Sequence, residues 1–222
     1  MCGRYTLTRP ERVVVEFKPD SVAADLGRRR FNIAPAQNAP ILIVRGAERV
    51  LADSRWGLIP PWADDPSVGN RMINARAESA AVKPSFREAL HRHRCLVPAD
   101  GFYEWQETNA GRQPLYIRAP DSALFAFAGL YSTWSRAGIG TILSHTIITT
   151  AADEFMRPVH DRMPVILPAG QWSSWIDPKQ SDEGALQQIL MGLPDKPMRM
   201  IKVSRAVNSP ANDDERCIVE MP

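Results

Sequence analysis

The chain has 222 residues, 44% of them hydrophobic and 23% charged, with a net charge of only +2. That length supports a core of ordinary size, the balance excludes a disordered or bulk polycationic protein, and no apolar run approaches the roughly 20 residues of a spanning helix. The first ten residues, MCGRYTLTRP, hold no apolar stretch of the secretory kind, so a cytoplasmic location is expected, on the nucleoid if DNA is the partner.

A first helix is expected to start at Thr8, with Pro10 in its first turn. Glu11 completes the capping box Thr8-x-x-Glu11, ahead of Val13, Val14, Val15 and Phe17. ILIV at 41–44 reads as a strand. A second capping box, Ser85-x-x-Glu88, opens a helix through about His91. Short β-branched or aromatic runs then mark strands at 95–98, 102–105, 115–117, 124–131 and 142–150. After a short helix comes MPVIL at 163–167. A helix over roughly 182–191 and a strand at 198–203 close the series. Helices are scattered among strands rather than alternating with them. That favours an α+β fold with a curled, mostly antiparallel sheet.

Three cysteines, Cys2, Cys95 and Cys217, cannot all pair, and free thiols are expected. Cys95 and Cys217 sit in apolar runs and read as small buried hydrophobes. Cys2 differs, because nothing upstream could bury it. Its small side chain favours removal of Met1, which leaves an N-terminal Cys with an amine and a thiol on adjacent carbons. The amine, with a pKa near ~7.7–8.0, adds to an aldehyde and loses water to give an imine. The thiolate then closes a five-membered thiazolidine, an intramolecular step with a very high effective concentration. A processed Cys-Gly start also occurs in class II glutamine amidotransferases, where the thiol attacks an amide. The first residues leave both chemistries open.

Other segments carry polar groups suited to a site. In NARAES, Asn74 could orient a reacting oxygen, Arg76 could grip a phosphate, and Glu78 could pair with an arginine; an ordinary polar helix start is the plainer reading. In GFYEW, strand alternation puts Phe102 and Glu104 on one face and Tyr103 and Trp105 on the other. A Glu among aromatics is expected to be partly desolvated, which suits proton transfer. His160, in the loop RPVHDRMP, is a candidate acid or base. WGLIPPWA offers Trp56 and Trp62 to stack on unpaired bases, and RFNIAP could set Asn32 and Pro35 against DNA. Arginines cluster at 28–30, at 71 and 76, and at 87, 92 and 94, which permits nucleic-acid binding without establishing it. HRHRC (His91–Cys95) lacks a further ligand at zinc-like spacing, so no metal is expected.

Together MCGRY, RFNIAP, WGLIPPWA, NARAES, GFYEW, ITTAA (148–152), HDRMP and VSRAVN (203–208) resemble the SRAP (SOS response-associated peptidase) family, in order and over nearly the whole chain. The resemblance implies a compact single domain around a β-barrel-like sheet, with its core over about residues 2–208 and a tail after it. It implies a protein that crosslinks to abasic sites in single-stranded DNA through Cys2 and shields them, with associated lyase and peptidase activity. Asn74 would bond to the adduct, Glu104 would help proton transfer, and His160 would assist opening of the sugar. Arg4 and Arg76 would hold phosphates, Pro35, Trp62 and Trp105 would stack or wedge, and Asn32 and Thr149 would complete the DNA contact. No cofactor, metal or membrane is implied, and a monomer is expected. The alternative is an N-terminal-nucleophile cysteine amidohydrolase or peptidase.

Overall fold

The computed structural model describes residues 2–109, 111–192, 194–195 and 197–221. Met1, whose removal the sequence suggests, lies outside them. The first half of the chain forms β1 (Tyr5–Leu7), α1 (Glu11–Phe17), β2 (Ser21–Ala23), β3 (Arg30–Ile33), β4 (Asn38–Arg45), β5 (Glu48–Trp56), β6 (Asn74–Arg76), α2 (Ala77–Ala80), α3 (Pro84–Arg92), β7 (Arg94–Ala99) and β8 (Gly101–Thr108). The second half forms β9 (Gly111–Arg118), β10 (Phe125–Arg136), β11 (Gly140–Ala151), β12 (Arg162–Pro164), β13 (Ile166–Leu167), α4 (Trp172–Ile176), α5 (Glu183–Leu190) and β14 (Arg199–Lys202). Short 3-10 turns fill several connections.

Five strands close a barrel in the order β11-β10-β7-β4-β5, and β5 returns to β11. Four of the contacts are antiparallel, and the closing one is parallel, with Ser144 opposite Arg55 and His145 opposite Trp56. An odd ring cannot alternate direction all the way round, so one parallel pair is unavoidable. A second sheet, β14-β9-β8-β1-β3, packs on the barrel. Tyr5 of β1 joins the two, its ring edge-on to Trp56 at 5.1 Å and to Phe127 at 5.8 Å. The fold is α+β and mostly antiparallel, as expected.

Several local expectations are corrected by long-range contacts. Thr8 does not cap α1. Its hydroxyl and its N–H both donate to the buried Asp100 carboxylate at 2.6 Å, and the helix starts behind Pro10 without a side-chain cap. Ser85 lies inside α3, which Pro84 opens as its first residue. MPVIL is two strands, because the chain changes partner at Val165. The Val165 N–H donates to Ile148 on β11, and its carbonyl accepts from Ala128 on β10.

Arg94, expected in a surface cluster, is only 2% exposed. Its guanidinium donates to the carbonyls of Leu90 and His91 at the end of α3, and to those of Trp175, Asp177 and Gln180 around the end of α4. It satisfies groups that a helix end leaves orphaned. The stretch after 208, expected as a tail, also packs on the second sheet. Asp213 accepts from the N–H groups of Phe31 and Asn32 and from Arg30, and Cys217 is buried.

Burial makes two of these groups testable. Arg94→Ala strands several carbonyls at once and should cost about 3 kcal/mol or more, lowering Tm by on the order of 10 °C in a thermal melt. An unchanged Tm would mean that water replaces the guanidinium. His145 is wholly buried at the parallel seam, with Nδ1 3.0 Å from Ser54 Oγ, and burial pushes its pKa down to about 3. The unfolded chain takes up this proton near pH 6.5 and the folded chain does not. Stability is therefore intact above about 6.5 and falls by about 1.4 kcal/mol per pH unit below it. Urea midpoints between pH 7 and 5 should fall more steeply in the native protein than in His145→Gln.

Candidate active site around Cys2

Backbone on both sides fixes the start of the chain. β1 lies between β3 and β8, with Tyr5 opposite Ile33 and Phe102. The Tyr103 N–H donates to the Arg4 carbonyl at 3.0 Å. One step further along this register, Glu104 comes level with Gly3, next to Cys2. From the barrel side, Asn74 Nδ2 donates to the Cys2 carbonyl at 2.9 Å. The Asn74 Oδ1 is buried and has no hydrogen-bond partner among the described residues. It is an acceptor held ready beside Cys2.

The sequence leaves Cys2 uncovered, yet in the structure its side chain is fully buried. Burial pushes its thiol above the usual range, and the negative charge of Glu104 adds to the effect. The Sγ lies 3.9 Å from the Arg4 carbonyl, a weak contact. Glu104 is itself 3% exposed, on the face of β8 that the strand alternation gives it.

Asn74 sits on a strand and not at a helix start. Three residues of β6 run parallel to β11, with Asn74 opposite Ile147 and Arg76 opposite Thr149. Chain segment 57–73 leaves the barrel edge at the end of β5 and returns to it as β6. Its neck is pinched where Gly57 and Gly69 cross. A Cβ on either would come within 2.5 Å of the other's carbonyl oxygen, and Gly57 has φ +127°. Trp134 Nε1 and Arg136 anchor the outer part by donating to the Ala63 carbonyl at 2.7 and 2.8 Å. Trp62 stands 59% exposed on this excursion, while Trp56 is core and donates to the Ile73 carbonyl.

The remaining candidates divide by burial. Arg76 is exposed and Pro35 half-buried. Arg4 is half-buried, donating to the Val207 carbonyl at 2.9 Å, with its guanidinium 6.0 Å from the Trp105 ring. Trp105 donates to Asn208 Oδ1 at 2.7 Å. Asn32 and Thr149, like Cys2, are 0% exposed. The Asn32 amide is shared among the carbonyls of Val207, Ser209 and Asn212. The Thr149 carbonyl accepts from Arg162 at 2.7 Å.

His160 is partly exposed, in the loop before β12. It joins the Cys2 cluster indirectly, through Arg162, Glu78 and β6. From the sequence Arg162 is a charged neighbour of His160, and the arginine that pairs with Glu78 is left open. The two form a two-pronged ion pair, at 2.6 and 2.9 Å. The spacing His160-x-Arg162 is the available signal. In HRHRC, Cys95 is buried in β7 and His91 Nε2 lies 3.3 Å from Glu183 Oε1. Among the described residues no group of three or more His, Cys, Asp or Glu could hold a metal ion, and no helix is long and apolar enough to cross a membrane.

Comparison with known proteins adds sequence and fold evidence. Residues 1–210 match the model of the family described as SOS response associated peptidase (SRAP). The abasic site processing protein YoqW of Bacillus subtilis is 42% identical, with 98% of this chain and 99% of that protein covered. The abasic site processing protein YoaM of the same organism is 43% identical, with 96% and 95% covered. A crystal structure of a protein from Bacteroides thetaiotaomicron shares the fold, with a TM-score of 0.87 at 24% identity over the full length of both chains.

The thiols give a test of this geometry. Burial raises Cys2 and Cys95 well above the ordinary thiol range, and raises Cys217 too. Iodoacetamide should therefore alkylate the native protein slowly at pH 8, where an exposed cysteine with a pKa near ~8.5 reacts readily. Glu104→Gln removes the negative charge, lowers the Cys2 pKa and should speed alkylation of Cys2 severalfold relative to Cys95. Peptide mass mapping reads both rates. Equal rates in the native protein and in Glu104→Gln would mean that Glu104 does not act on the thiol.

Proposed function

The chain belongs to the SOS response associated peptidase (SRAP) family, and from that premise we propose that it processes abasic sites in single-stranded DNA, bonding to them through Cys2 once Met1 is removed. The convergence of Asn74 and Glu104 on Cys2 carries the reading. The names of the relatives YoqW and YoaM support the choice of lesion.

The ring-opened sugar of an abasic site presents an aldehyde. The Cys2 amine adds to it, the hydroxyl leaves as water, and an imine results. The thiol then adds across the C=N bond; sulfur bonds to carbon and its proton ends on nitrogen, closing the thiazolidine. In this order the amine, freed by loss of Met1, attacks first and the covered thiol follows. Glu104, buried beside the amine, takes up and returns the protons that these steps move. Asn74 holds the Cys2 carbonyl and offers its Oδ1 to the adduct. His160 bonds to the sugar oxygen as the ring opens. Exposed Arg76 and half-buried Arg4 supply charge for flanking phosphates, and Trp62 stacks on an unpaired base for about 1–3 kcal/mol.

The product is a lesion capped by protein, which shields it during the response to DNA damage. Strand cleavage from an imine, as a lyase, and release of Met1, as a peptidase, are side activities of the same groups. The route uses no cofactor, and one copy of the chain suffices for one lesion.

Intact-mass spectrometry with an oligonucleotide bearing one abasic site tests the proposal. Protein lacking Met1 should gain the oligonucleotide mass minus one water and keep it through denaturation without reduction. Cys2→Ala should lose the stable adduct. Asn74→Ala should slow its formation by roughly ten- to a hundredfold, the worth of one buried hydrogen bond. An equally stable adduct with Cys2→Ala would sink the thiazolidine. Glutamine or peptide hydrolysis by DNA-free protein that forms no adduct would favour the amidohydrolase instead.

A further inference from the structure

His160 meets two neighbours at one ring nitrogen. Its Nδ1 accepts from the backbone N–H of Arg162 at 2.9 Å and lies 2.7 Å from Asp161 Oδ1. The contacts belong to different protonation states. A lone pair on Nδ1 accepts from the amide, and only a proton on Nδ1 can be donated to the carboxylate. The Asp161 side chain is 86% exposed and can turn to water at little cost. The amide cannot give up its proton or turn away without moving the strand that follows. In the neutral ring the amide therefore decides the tautomer.

That amide is itself anchored. Arg162 opens β12 opposite Ala151, and the preceding carbonyl, of Asp161, accepts from the Ala152 N–H at 2.9 Å. The Arg162 side chain is 13% exposed. Its guanidinium reaches both carboxylate oxygens of Glu78 and the Thr149 carbonyl. A two-pronged pair of this kind fixes direction as well as distance. The hydrogen bonds from Arg162 hold the Glu78 carboxyl below its usual range, so the pair stays charged. Glu78 also follows Asn74 by four residues, so the segment that holds the Cys2 carbonyl also holds this arginine.

We propose that Glu78 and Arg162 are positioning residues that press the Arg162 amide onto Nδ1 and so fix neutral His160 with its proton on Nε2, the nitrogen left for substrate. His160 then meets substrate as a hydrogen-bond donor and not as a proton acceptor. This rests on the abasic-site reading only for the identity of the oxygen that accepts the bond. Proton uptake falls to Glu104, and the two motifs NARAES and HDRMP act as one unit.

The tautomer is measurable without DNA. Long-range 15N–1H correlation spectra of labelled protein, about two units above the ordinary histidine pKa of ~6.5, distinguish the two forms. His160→Asn assigns the signal among the four histidines. The native protein should show a protonated Nε2 and an unprotonated Nδ1. Glu78→Gln should give a mixture of tautomers, and Glu78→Asp, which restores the charge, should return part of the native pattern. A protonated Nδ1 in the native protein would overturn the proposal, as would an unchanged tautomer in folded Glu78→Gln. Adduct formation, followed in parallel, should slow severalfold in Glu78→Gln. A native protein with the expected tautomer and no adduct would remove the abasic-site reading and leave the positioning pair in place.

Discussion

The parallel contact between β5 and β11 is the constraint on which the rest of the molecule hangs. Five strands cannot alternate direction around a closed ring, so one seam must run parallel, and a parallel seam needs a long crossover. Here the crossover is residues 57–139, and it carries β6, α2 and the whole β8–β9 ribbon. The same edge of β11 that accepts β5 at Ser144 and His145 continues upward to accept β6 at Ile147 to Thr149. Asn74 therefore stands at a fixed height above the barrel seam, set by strand register. An amide placed that way needs no loop to hold it.

The second sheet meets this edge from the other direction. β1 brings Cys2 in, and β8 lays Glu104 beside it. The C-terminal segment then locks the far side. Asn32 gathers three of its carbonyls, Asp213 caps β3, and Arg4 reaches Val207 two residues from Cys2. Asn32 is fully buried and its amide nitrogen serves three carbonyls, and a buried polar group paired in this way specifies one arrangement because partial pairing is costly. The start of the chain is thus held among side chains from distant stretches of sequence.

What could be read from the sequence follows the range of the interactions. Strands with apolar runs, such as 41–44, 95–98 and 142–150, are legible because their pattern is local and their burial strong. β6 is not, since three residues, two of them polar, carry no period, and only pairing with β11 makes them a strand. Thr8 shows a local signal outbid by a distant one. Its hydroxyl could cap a helix, but Asp100, 92 positions away, takes it. Arg94 looks like surface because its partners are backbone carbonyls, which have no sequence signature. In the site, Cys2, Asn74, Glu104 and His160 stand out by chemical type within their motifs. The burial of Cys2, Asn32 and Thr149 does not, because it depends on what packs above them.

That burial bears on how such a site can work at all. A thiol with a free surface would be open to oxidation and to every soluble electrophile, and its thiolate would be the reactive species. A covered thiol whose pKa is raised by burial and by Glu104 should be slow toward such reagents. Reaction then requires a partner that first engages the neighbouring groups. An aldehyde captured as an imine by an adjacent amine does this, since it delivers the electrophilic carbon one ring closure away from sulfur. On the proposed reading, a slow Cys2 thiol and its strand-borne neighbours are two sides of one arrangement. On that reading the thiol gains speed where geometry, and not ionisation, brings its target to it.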